Sequence, residues 1–180
     1  VGRIWVNGTL KYTIAPASGS AYLYSVSAAG GSIYVAGSED TDGALTAKIW
    51  KDGEETHAYS VSPATSQARA VAVSGSDVYA AGSLQSGLEK QLAMVWKNDK
   101  AHFTLTDGQT DAGAIALCAD GRTLYTAGYV GTQAVVWKDG SVLYTLTDGS
   151  SSAQATAVCR SGKVRGASLP SSSSRAAGQE

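Results

Sequence analysis

Four tryptophans, Trp5, Trp50, Trp96 and Trp137, stand 45, 46 and 41 residues apart. A regular interval of that size in a chain of 180 residues points to an array of like units. Each Trp follows a β-branched residue (Ile4, Ile49, Val95, Val136). Three of them precede a Lys and a turn: Lys51-Asp52-Gly53, Lys97-Asn98-Asp99 and Lys138-Asp139-Gly140. The first copy reads Val6-Asn7-Gly8 at that place.

The copies keep register. Val26, Val71, Leu117 and Val158 stand 21 residues after their Trp, each flanked by small residues: Ser25 and Ser27, Ala70 and Ala72, Ala116 and Cys118, Ala157 and Cys159. Alternation of small and large side chains is a strand pattern. Tyr34, Tyr79 and Tyr125 follow 29 residues after their Trp, each after an aliphatic residue and three before a Gly (Gly37, Gly82, Gly128). Each unit therefore carries four short β segments bounded by Gly, Ser, Asp and Asn. In the second unit they run over 68–73, 77–83, 91–97 and 101–106. Four strands in about 45 residues, repeated, is the arithmetic of a β-propeller blade. The Ala-rich segment is expected innermost, where equivalent strands crowd one another, and the Tyr- and Trp-bearing strands farther out, where the wedge between sheets widens.

Composition fits such an array. Hydrophobic residues make up 43% of the chain and charged residues only 16%, enough for a core and too few for a charge-rich disordered segment or a coiled coil. Lys and Arg (14) nearly balance Asp and Glu (15), for a net charge of -1. That is not the electrostatic footprint of a protein that binds nucleic acid. No apolar run approaches the roughly 20 residues of a membrane helix, so no membrane insertion is expected.

The repeat resembles those of bacterial β-propeller proteins of the secreted or cell-surface kind. The residues that carry the likeness are Val73-Ser74-Gly75-Ser76-Asp77-Val78-Tyr79-Ala80-Ala81-Gly82 and Val136-Trp137-Lys138-Asp139-Gly140. It covers residues 3–164 and implies the propeller fold and a secreted or surface location. It brings no catalytic residues with it. The last copy departs from the pattern: Gly166 stands where an aromatic is expected, and residues 166–180, with Ser171 to Ser174 in a row, read as a disordered or foreign tail beyond a repeat domain over 1–165.

Counting strands predicts association. The chain opens on a third strand (3–6) and a fourth (9–14), runs through three full sets, and closes on a first and a partial second (153–164). That is four blades per chain, the last shared by the two termini, closing either within one chain or as an eight-bladed two-fold dimer in which each terminal pair completes the other copy's blade. The dimer is preferred. A longer parent protein would explain both the start at Val1 and the broken last repeat.

The candidate chemistry is thin. Cys118 and Cys159 occupy equivalent places and are expected as small buried thiols rather than a disulfide. His57 replaces the ring found at Tyr12, Phe103 and Tyr144, and His102 falls one position earlier in its unit; neither has zinc-ligand spacing. Glu39-Asp40-Thr41-Asp42-Gly43 has part of a calcium loop, but Ile49 stands where a bidentate Glu is needed. Thr106-Asp107-Gly108 and Thr147-Asp148-Gly149 read as strand punctuation. No nucleophile elbow or phosphate loop is present. The sequence thus points to no catalytic, metal or cofactor residues. It points to a non-catalytic interaction or scaffold module that binds a protein or glycan through its variable loops (38–46, 83–91 and 129–132; 15–20, 62–67, 107–111 and 148–152). The alternatives are a secreted hydrolase or lyase with acidic residues in a central funnel, and a self-associating fragment with no further role.

Overall fold

A computed structural model describes residues 1–16, 19–41, 43–59, 64–87 and 89–159. The serine-rich tail and Asp42 lie outside the described residues. The described chain is all-β, with fourteen antiparallel strands in one two-stranded and three four-stranded sheets. β1 (Gly2–Val6) pairs with β2 (Thr9–Ile14). The second sheet runs β3 (Ser20–Ala29), β4 (Ser32–Thr41), β5 (Ala44–Lys51), β6 (Glu54–Tyr59) in that order. The third has β7 (Thr65–Ser74), β8 (Asp77–Gln85), β9 (Leu92–Lys97) and β10 (Lys100–Thr104). The fourth has β11 (Ala112–Asp120), β12 (Thr123–Val130), β13 (Gln133–Lys138) and β14 (Ser141–Thr145). Every connection within a sheet is to the next strand in sequence, as the four segments per unit predict.

Residues 153–159 depart from that expectation. The Ala153 and Ala155 amides donate to the Thr132 and Gly128 carbonyls (both 3.0 Å), but these residues join no ladder among the described residues. The remainder of the expected terminal pair, from 160 on, lies outside the described residues.

The Lys-Asp-Gly signature builds the same hairpin in each copy. Asn7, Asp52, Asn98 and Asp139 all have φ near +50°, the left-handed region that short Asx side chains tolerate and tight hairpins need. The side-chain oxygen then reaches across the sheet. Ile33, Val78 and Leu124 amides donate to Asp52, Asn98 and Asp139 (2.9, 3.0 and 2.8 Å). The turn between third and fourth strands is thereby tied to the start of the second.

Each first strand carries a bulge, at Tyr24, Arg69 and Ile115, where the register skips one residue. The bulge lets β7 start at Thr65, three residues before the expected 68, and brings its backbone close to the neighbouring strand. A Cβ on Gly37, Gly82 or Gly128 would lie 2.0, 1.8 or 1.9 Å from the carbonyl oxygen of Tyr22, Gln67 or Gly113. This close approach is why a Gly follows each Tyr by three positions.

The first strand of each later sheet lies against the sheet before it, β7 against β3, β4 and β5, and β11 against β7, β8 and β9. Three apolar clusters fill the spaces between sheets. Trp50, Trp96 and Trp137 are buried there, whereas Trp5, on the edge strand of the two-stranded sheet, is 57% exposed. Cys118 is half-buried and Cys159 exposed, both free, which corrects the expectation of buried thiols. Both sit toward the far end of a first-strand segment, and no further sheet follows Cys159 among the described residues to cover it.

Gly82→Ala is expected to destabilise the fold by about 1 to 3 kcal/mol, because the methyl must displace backbone rather than a flexible side-chain end. Urea denaturation would measure it; an unchanged midpoint would show that the bulge relaxes without cost.

Candidate functional site

The loops joining second to third strands and fourth to first strands emerge at one end of the sheets, because neighbouring strands are antiparallel. Around sheets three and four these loops are knitted together. Asp111 accepts from the Gln91 amide (3.0 Å) and from Lys90 Nζ (3.1 Å). The Gly131 amide donates to the Asp111 carbonyl (2.8 Å), and Thr132 Oγ1 to that of Gly149 (2.8 Å). The loop end is therefore a hydrogen-bonded frame.

Within it lies a cleft of about 260 Å³ whose polar walls are Arg69, Ser83, Gln91, Tyr129 and Gln154. Arg69 is the bulge residue of β7, and the bulge turns its side chain out of the small-residue pattern. Its guanidinium lies 4.4 Å from the centre of the Tyr24 ring, the bulge residue of the preceding sheet. Stacking of this kind holds a cation in place without neutralising it. Arg69 has no carboxylate partner among the described residues. The Tyr129 hydroxyl donates to Gln91 Oε1 (3.2 Å), which fixes that amide in the cleft wall. The arrangement can accept one anionic or hydrogen-bonding substituent. It is smaller than the few hundred Å³ that enclose a whole small ligand.

The residues singled out from sequence do not converge on this cleft. His57 stacks near Tyr59 (6.4 Å between centroids) and its Nδ1 lies 2.6 Å from Asp99 of the next sheet. It occupies the ring position it was aligned with. His102 packs on Phe103 (4.0 Å). Glu39 binds Lys48 at 2.5 Å, and Lys48 also holds Glu55 (2.6 Å). Burial alone would lower the Lys48 pKa, but the two carboxylates outweigh it and hold the ammonium above its ordinary range. Asp40 accepts from the Gly43 amide (2.9 Å) as a turn residue. Thr106 and Thr147 hydroxyls accept from the Ala93 and Ala134 amides (3.1 Å each), while Asp107 and Asp148 accept from the Gln109 and Ser150 amides (3.1 and 2.9 Å). Both Thr-Asp-Gly motifs are used in structure. Among the described residues, no group of three His, Cys, Asp or Glu is placed to hold a metal ion.

Gln91 and Tyr129 fall in the variable loops 83–91 and 129–132 singled out from sequence, whereas Arg69 and Tyr24 escaped the reading of the sequence. One signal was there. Nineteen residues after each Trp stand Tyr24, Arg69, Ile115 and Thr156, a variable position inside an otherwise small-residue strand. No protein-family model matches this chain, and no curated protein sequence is similar to it.

The carboxylates with displaced titration all move the same way. Asp52 is held below the ordinary range by the Ile33 amide first and the Ser32 hydroxyl next; Asp111 by the Gln91 amide and then Lys90; Asp148 by the Ser150 amide and hydroxyl. A folded pKa below the unfolded value contributes stability that is present above the ordinary Asp value of 3.8 and is lost as pH falls through the lowered one. Asn98 fills the Asp52 position in the next copy, so Asp52→Asn should preserve the turn near neutrality and make the loss of stability in acid shallower. Urea midpoints at about pH 6 and about pH 2.5 would show this. Parallel losses in both proteins would mean that the ionisation of Asp52 contributes nothing to the acid dependence of stability.

Proposed function

We propose that the chain is a non-catalytic β-propeller module, secreted or carried on a bacterial surface, that binds a protein or glycan through its loop face. The three four-stranded sheets are read as complete blades and the two ends as parts of a fourth. Sheets that each pack their indole, and from β7 on their first strand, on the sheet before support that architecture.

The observation that carries the binding reading is Arg69: a guanidinium stacked on Tyr24, without a counter-charge among the described residues, in a small cleft walled by amides and hydroxyls. A carboxylate suits that cleft, because guanidinium and carboxylate form charge-assisted hydrogen bonds of matching geometry. It is supplied by a uronate of a glycan or by an acidic side chain of a protein. Binding is favoured over hydrolysis because the displaced carboxyls stay ionised and are engaged in turns and ion pairs, whereas a general acid needs its pKa raised.

An array of neutral and uronate-bearing oligosaccharides together with acidic peptides tests this. Carboxylate-bearing probes are expected to bind, and Arg69→Ala to weaken them about tenfold or more without shifting thermal stability. Binding indifferent to Arg69→Ala would overturn the assignment of the cleft, and cleavage of an oligosaccharide would favour the hydrolase.

A further inference from the structure

The two ends of the described array are complementary halves of a contact that the molecule already makes three times. Each buried indole sits between the residue before the preceding Trp and the residue nine after it. Trp50 shares a cluster with Ile4 and Ile14, Trp96 with Ile49 and Tyr59, and Trp137 with Val95 and Leu105. The Tyr59 and Trp96 rings stack at 5.0 Å. The outer member of each pair is buried: Ile14 is 3% exposed, Tyr59 5% and Leu105 8%. The fourth pair by the same count is Val136 and Leu146, and Leu146 is 55% exposed. Its backbone is nonetheless set like that of Leu105: each donates its amide to an Ala carbonyl three residues before the local Trp, Ala134 and Ala93, at 2.8 Å.

A second contact repeats beside the first. The ring seven residues after each Trp covers the hairpin turn of the next sheet. A Cβ on Gly53 would meet the Tyr12 ring at 3.1 Å, and one on Gly140 would meet Phe103 at 2.8 Å. Between them, His57 reaches Asp99 at the equivalent turn position. At the C-terminal end Tyr144, the fourth such ring, is 59% exposed. At the N-terminal end Gly8, the remaining turn glycine, has nothing within 4 Å of its Cβ direction. Beside these turns lie two apolar clefts: one of about 610 Å³ at Trp5, Tyr24 and Val26, and one of about 570 Å³ at Val136, Tyr144 and Val158.

We infer that a second copy of this chain occupies each end. Trp5 of one copy seats between Val136 and Leu146 of the other, and Tyr144 of that other copy covers the Gly8 turn. The contact is heterologous, and two copies close it twice around a two-fold axis. The argument for a second copy is continuity: Trp5 and Gly8 at one end, and Val136, Tyr144 and Leu146 at the other, stand at the repeat positions that meet across the internal sheet-to-sheet interfaces. The two ends of one chain do not meet, since Trp5 and Leu146 would then be buried. The inference extends the propeller reading; Trp5 and Leu146, which carry its test, are distinct from the Arg69 cleft, although Tyr24, under Arg69, also borders the N-terminal cleft.

Sedimentation equilibrium of the full chain tests it. The wild type is expected at twice the 18.4 kDa chain mass. Trp5→Glu and Leu146→Glu, both at positions exposed in one chain, are each expected to give monomers that keep the strand circular dichroism of the wild type. An equimolar mixture of the two variants should recover a dimer, because one of its two contacts is then wild type on both sides. A monomeric wild type, a series of higher multiples, or a dimer indifferent to Leu146→Glu overturns the inference. Failure of the mixture to recover a dimer overturns it too, since a symmetric Trp5-to-Trp5 contact gives no such rescue. Arg69-dependent ligand binding by a monomer would overturn the dimer and leave the proposed function standing.

Discussion

An antiparallel sheet of four short strands has two faces and too few residues to bury either by itself. The tryptophan of each unit answers that constraint by packing on the sheet that precedes it. A buried indole removes up to about 250 Å² from water, and truncating one in a core typically costs about 3 to 5 kcal/mol. Each sheet therefore borrows stability from its neighbour, as in repeat proteins generally. The exposed Trp5 shows the same residue where no preceding sheet stands.

Polar groups set the position of those indoles. The Asx turn residue ties the hairpin that follows each Trp to the second strand, and the Thr hydroxyls at 106 and 147 accept amides three residues before their Trp. Ser66 does the same for Ala47 in the first full unit (2.9 Å), while donating to the Tyr59 carbonyl (2.7 Å). Satisfying these backbone groups where sheets meet is required because an unpaired buried amide is costly. The frame is rigid there, and the loops at its open end are free to vary in composition.

Much of the architecture was legible because it repeats. The spacing of Trp5, Trp50, Trp96 and Trp137 set the units, and Tyr79 with Gly82 marked a second strand. The reason for Gly82 was hidden, since the carbonyl of Gln67 approaches it only after the bulge at Arg69 has formed. Arg69 was hidden for a related cause, although the loops that carry Gln91 and Tyr129 were legible as variable. Arg69 and Tyr129 are 60 positions apart and meet only through packing of two sheets, whereas the motifs that drew attention, Thr106-Asp107-Gly108 and Lys138-Asp139-Gly140, recur because they build turns. Cys159 was misjudged because its neighbours along the chain do not reveal that no sheet lies outside it among the described residues.

The central claim, that neighbouring sheets hold each other through the indole contact, is tested most directly by a double-mutant cycle across one interface. Trp96 and Tyr59 belong to different sheets and stack at 5.0 Å. Trp96→Leu, Tyr59→Leu and the double variant, measured by urea denaturation, are expected to show a coupling energy of about 1 kcal/mol. Additivity within about 0.3 kcal/mol would contradict the account, because the two sheets would then be stable without regard to the ring between them.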